Sequence, residues 1–111
     1  MTARLASGLW VQAYLTRLRL NDIPAFVVAR GDETAGAVLV KLNTLDGKAT
    51  AFQRSVDLLS GARQWMVLAE GPEATVDAVM TRQRALDPDL WIIEVEDRQG
   101  RHLLEEPGLA D

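Results

Sequence analysis

The spacing of apolar residues changes twice along this chain. Over residues 8–20 it is helical: Trp10, Ala13, Tyr14 and Leu18 share a face, and Val11 and Leu15 widen it. Ser7 stands where a helix cap belongs, and Asn21-Asp22 before Pro24 closes the segment, since proline steers its predecessor out of the helical region. The spacing then drops to two. Residues 25–30 read as a strand, the polar stretch 31–36 turns, and residues 37–43 form a second strand. Val38, Val40 and Leu42 share one face of it, Lys41 and Asn43 the other. Thr44-Leu45-Asp46-Gly47 is a hairpin turn, because an Asp-Gly pair supplies positive φ, and a third strand returns antiparallel over about 48–54.

Residues 56–62 fit either a loop or one helical turn ended by Gly61. A fourth strand, 63–69, centres on Trp65-Met66-Val67-Leu68. Gly71-Pro72-Glu73 has the form of a helix start, with proline first and an acid in the first turn. Val76, Val79, Met80, Gln83 and Leu86 give that helix a narrow stripe, and Asp87-Pro88-Asp89 ends it. Residues 90–96 are a last strand whose first half is apolar on both faces, the mark of a central strand. Residues 97–100 turn, 101–104 are a candidate edge strand, and 105–111 are expected to fray. The order α-β-β-β-β-α-β, with mostly short connections, predicts an α+β fold: a largely antiparallel five-stranded sheet with two helices packed on one face. No repeat or linker divides residues 1–111, so one domain is expected.

Composition agrees. Of 111 residues, 48% are hydrophobic and 25% charged, which suits a soluble globular domain and excludes disorder, collagen and coiled coil. There is no cysteine, which removes disulfides, thiolate nucleophiles, iron–sulfur clusters and thiolate zinc sites together. A cytoplasmic protein is expected, without membrane association, because no apolar run approaches the ~20 residues of a spanning helix and no secretory signal pattern stands at the start. The 12 basic residues face 16 acidic ones, for a net charge of −4, which argues against nucleic-acid binding through phosphates.

Three stretches carry a resemblance. They are Arg4-Leu5-Ala6-Ser7-Gly8-Leu9-Trp10-Val11; Arg30-Gly31-Asp32 with Ala35-Gly36-Ala37-Val38; and Asp87-Pro88-Asp89-Leu90-Trp91 running to Glu94-Val95-Glu96-Asp97-Arg98. Together they resemble the short bacterial proteins of domain-of-unknown-function family fourteen ninety-one. Residues from about 50 to 84 do not enter it. The resemblance implies a compact stand-alone protein and assigns no site residue.

Candidate chemistry is sparse. Arg30-Gly31-Asp32 is too short to specify adhesion and reads as a strand end and turn. Gly31 and Gly36 match no phosphate-binding glycine pattern. Glu94 and Glu96 share a strand face about 7 Å apart, with Asp89, Asp97, Arg98 and Arg101 nearby in sequence. His102 is the only histidine, so no metal site is expected, nor any cofactor. Trp10, Trp65 and Trp91 fit core positions. The one candidate ligand site joins Arg30 and Asp32 to Glu94, Glu96 and Arg98, the turn approaching the acidic end of the last strand. The broad first-helix stripe offers a contact surface at Val11 and Leu15. The favoured reading is a small protein-interaction or regulatory module that forms a homodimer or holds a protein partner. The alternative is a small-molecule binder or weak enzyme using the acidic and arginine cluster.

Overall fold

The computed structural model describes residues 5–110. Helix α1 (Ser7–Leu20) leads into strands β1 (Ala25–Ala29), β2 (Val38–Asn43), β3 (Lys48–Val56) and β4 (Arg63–Pro72), then helix α2 (Glu73–Leu86) and strand β5 (Trp91–Glu96). The fold is α+β. The five strands lie in the order β1-β5-β2-β3-β4. β1 runs antiparallel to β5, and β2-β3-β4 form an antiparallel meander. β2 and β5, however, are parallel neighbours at the centre. The sheet is therefore mixed. Short connections forbid parallel pairing only between consecutive strands, and β3, β4 and α2 together supply a crossover long enough to bring β5 in beside β2.

The helices cover opposite faces, not the single face expected. Val40, Leu42, Ile93 and Val95 pack with Trp10, Val11, Tyr14 and Leu18 of α1. Their strand neighbours Leu39 and Ile92 pack with Val76 and Met80 of α2. Successive strand side chains point to opposite sides, so two central strands that are apolar on both faces need cover on both.

Several local expectations shift for tertiary reasons. Ala6, not Ser7, occupies the cap of α1. The Ser7 hydroxyl donates instead to the Gly36 carbonyl at 2.6 Å. The backbone N–H groups of Ser7 and Gly8 donate to Thr34 and Glu33 carbonyls at 3.2 and 2.8 Å. The loop thus satisfies helix donors that a side-chain cap would otherwise take. Gly36 is required there: a Cβ would stand 2.3 Å from the Asp89 carbonyl oxygen. Pro72 ends β4 and precedes the helix, so α2 begins at Glu73. Residues 58–60 turn, and 101–104 add no strand.

The tail, where fraying was expected, packs onto the core over its described part. Leu104 and Leu109 are at most 1% exposed in the α1-side core. The Leu109 carbonyl accepts from the Trp65 indole N–H at 3.0 Å and the Arg54 guanidinium at 3.1 Å. Residue 111 lies outside the described residues.

Candidate functional site

The five residues expected to form one ligand site fall in separate places. Arg30 lies over the Trp91 ring at 5.5 Å and pairs with Glu33. The Asp32 carboxylate accepts the N–H groups of Thr34 and Ala35 at 3.1 and 2.8 Å, and its carbonyl accepts the Trp91 indole N–H at 2.8 Å. Both groups therefore build the loop, and they abut the start of β5. Glu94 and Glu96 stand three and five residues further along, roughly 10 and 17 Å away at ~3.3 Å per residue. Arg98 is exposed on the following turn. Arg101, not Arg98, grips Asp97, at 3.0 and 3.1 Å. The turn thus approaches the wrong end of β5 for one site. On the first helix, Val11 is 3% exposed in the core, whereas Leu15 is only partly buried against it.

Glu94 joins a cluster that the sequence reading missed. The Lys41 ammonium, on a side chain only 4% exposed, lies 2.6 Å from Glu73, 2.7 Å from Asp77 and 3.2 Å from Glu94. Asn43 donates to Glu73 at 3.1 Å. Burial pulls the lysine pKa down, but hydrogen bonds to Asp77, Glu73 and Glu94 outweigh it and hold the pKa above the ordinary lysine value. A lysine so held stays charged and is no nucleophile. Glu73 and Asp77 are four apart on α2, hence on one face, and the cluster fixes that helix to the sheet. The only sequence signal was a lysine and an asparagine alternating with the core side of β2.

One end of the molecule holds a different arrangement. β2 pairs with β3 only as far as Leu39 with Gln53, whereas β3 and β4 pair on to Val56 and Arg63. The β3–β4 hairpin therefore overhangs the end of β2. Beneath it lies a cleft of about 580 Å³, bounded across the gap by the 34–37 loop and the start of α1. Trp10 and Arg54 line it on one side, and Gln53, Gln83 and Leu90 on the other. The Arg54 guanidinium lies against both the Trp10 and Trp65 rings, 4.8 and 4.7 Å from their centroids, which are themselves 5.4 Å apart. The Trp65 and Trp91 indole N–H groups both reach main-chain carbonyls. That of Trp10 is buried and has no acceptor among the described residues. A buried donor left this way costs about 1–3 kcal/mol.

Above the cleft, the hairpin tip presents Leu58 and Leu59, 97% and 100% exposed. The tip is ordered by its own polar groups. The Asp57 carboxylate accepts the N–H groups of Leu59 and Ser60 at 2.8 and 3.3 Å, and its carbonyl accepts that of Gly61 at 2.7 Å. Gly61 adopts a φ of +74°, which glycine takes without strain. Leu5, just before α1 and part of the cleft lining, is 56% exposed, and Leu9 in the first turn of α1 is 57% exposed. Among the described residues no group of three or more His, Cys, Asp or Glu side chains is placed to hold a metal ion. No helix among them is long and apolar enough to cross a membrane.

Comparison with known proteins agrees with the fold. Residues 5–105 match the family model described as "Protein of unknown function (DUF1491)". A crystal structure of a DUF1491 family protein from Caulobacter crescentus is 40% identical, with a TM-score of 0.85, over 94% of this chain and 98% of that one. An NMR structure of a DUF1491 family protein from the same organism is 39% identical, with a TM-score of 0.82, over 96% and 97%. A solution structure of an A. tumefaciens protein is 26% identical, with a TM-score of 0.72, over 85% and 86%. No curated protein matches the chain.

Proposed function

We propose that this chain, which belongs to the DUF1491 family, acts as a small cytoplasmic protein-interaction module that contacts its partner through the β3–β4 hairpin tip. The observation that carries the reading is the pair Leu58 and Leu59, 97% and 100% exposed on an ordered turn. Single exposed apolar residues are ordinary; adjacent leucines held fully in water at a projecting tip favour a contact that covers them. Leu5, which lines the cleft beneath the overhang, is 56% exposed. The partner is another protein or a second copy of this chain. Among the described residues the cleft lining carries neither histidine nor serine–base pairing.

Photo-crosslinking in cells tests it. A photoreactive residue in place of Leu59 is expected to give one discrete adduct, lost when Leu58→Ser is added. The same residue in place of Arg98 gives none. An adduct of twice the chain's mass identifies a second copy; any other mass identifies a distinct partner. No adduct at position 59 beyond that at position 98 rejects the reading.

A further inference from the structure

We infer that the outer edge of β1 pairs with the same edge of a second copy of this chain, joining the two sheets across a twofold axis. β1 ends the sheet, and among the described residues nothing pairs with the side away from β5. Its residues, Ala25-Phe26-Val27-Val28-Ala29, include no charge, proline or glycine. Phe26, Val27 and Val28 are 47%, 38% and 53% exposed. Native sheets blunt such edges with charge or proline, because an open one is a template for another chain. The opposite edge is blunted in this way: β4 carries Arg63, Glu70 and Pro72.

The backbone register says what fits. The Glu96 N–H donates to the Pro24 carbonyl at 2.9 Å, and Ala25, Phe26 and Val27 stand opposite Val95, Glu94 and Ile93. Hydrogen-bonded pairs alternate along an antiparallel ladder. Pro24 and Phe26 therefore turn their main-chain groups to β5, while Ala25 and Val27 turn theirs outward. The irregularity after Val27 ends this run. Outward residues on either side of Phe26 are self-complementary about an axis through it. Ala25 of each copy exchanges both N–H···O bonds with Val27 of the other, and the two Phe26 side chains meet in the closer, non-hydrogen-bonded pair.

Side chains and charges agree with that register. Ala25 packs on the α1-side core and, with Leu15, Ile23 and Pro24, lines a surface hollow. Cross-strand partners share a face, so Val27 of the other copy, opposite Ala25, enters that hollow. Antiparallel copies also bring the exposed Asp22 end of one strip against the exposed Arg30 end of the other, once on each side of the axis. The strip is short, so the interface sits at the small end of specific contacts, roughly 1,000–1,200 Å², and the dimer fills only at high protein concentration. β1 and the β3–β4 hairpin lie at opposite ends of the strand order, so this pairing and the hairpin-tip contact can fail independently.

Sedimentation equilibrium of the full chain from about 10 μM to about 1 mM provides the test. The average mass is expected to climb toward twice that of the chain. Phe26→Lys sets like charges directly opposite each other at the axis and should raise the dissociation constant at least roughly tenfold. Leu58→Ser should associate as the unaltered protein does. Amide hydrogen exchange reads the register without any substitution. The Ala25 and Val27 N–H groups should exchange severalfold more slowly at the highest concentration than at the lowest, whereas that of Phe26, already bonded to β5, should not change. The inference is overturned if the mass stays that of one chain at 1 mM, if a folded Phe26→Lys protein associates as before, if Leu58→Ser abolishes association, or if exchange at Ala25 and Val27 is independent of concentration.

Discussion

On the α1 side of the sheet, twelve buried side chains, Trp10, Tyr14, Trp91 and Ile93 among them, close around one another with no charged residue in their number. On the α2 side seven smaller ones, two of them alanines, share the space with the Lys41 ammonium and its three carboxylates. The first face is held by area removed from water, at about 25 cal/mol per Å². The second buries less apolar area, and its ion cluster adds little to that, since a buried ion cluster roughly breaks even between desolvation and attraction. What the cluster supplies is position. Glu73 and Asp77 grip one lysine, so α2 has one rotation and one height at which its acids meet Lys41. The first face contributes more of the stability; the second also specifies where its helix sits.

The strongest way to break this comparison is to open the apolar face. Leu18 is fully buried there, and Leu18→Ala should lower the unfolding free energy by about 3–4 kcal/mol in urea titration. A loss below ~1 kcal/mol would mean the face is not packed as described.

Lys41→Met probes the other face and should cost less, about 2 kcal/mol. That is under the ~3–5 kcal/mol of a fully buried charge stripped of its partner, because Glu73 and Asp77 remain 38% and 48% exposed to water. In the unaltered protein the raised lysine pKa makes its stabilisation complete below the ordinary lysine range and lost only as pH rises beyond that range through the raised value. A Lys41→Met protein as stable as the parent at neutral pH would show that the cluster does not hold α2.

The smallest expected effect lies at the tail that seals the α1 side. The His102 Nδ1 accepts the Leu104 N–H at 3.0 Å, and its ring lies 4.7 Å from that of Phe52. Burial holds the histidine pKa below its usual value, against an opposing pull from Glu105. The unfolded chain therefore binds the proton more readily. This contribution is present above about pH 6.5 and lost as pH falls below it. His102→Asn keeps an acceptor for the N–H two residues on but cannot titrate. Between about pH 7.5 and 5.5 its urea midpoint should change less than the parent's, and an equal change would remove His102 as the cause.

Much of the local structure was present in the residue pattern. The changes of apolar period located all seven elements. The Asp-Gly turn set the β2–β3 hairpin, and the apolar doublets of residues 90–93 marked β5 as central. The candidate site was not readable in the same way. Asp32 and Glu94 looked like free carboxylates because a sequence does not reveal which donors will face them. The first is consumed by the N–H groups of Thr34 and Ala35, and the second by a lysine fifty-three positions earlier in the chain. The tail looked polar and terminal, yet two leucines in it complete the core.

What this sequence determined by itself is what depends on neighbours within a few positions: element type, turn chemistry, and which side of each strand is apolar. Only the tertiary structure decided what depends on distant segments meeting: the parallel β2–β5 pair, the separation of the helices onto opposite faces, the burial of Lys41, and the overhang that opens a cleft beside an unsatisfied indole. The division follows from range. Periodicity and backbone preference act locally along the chain, whereas strand order, ion pairing and donor satisfaction are set by contacts the chain makes only once it has closed.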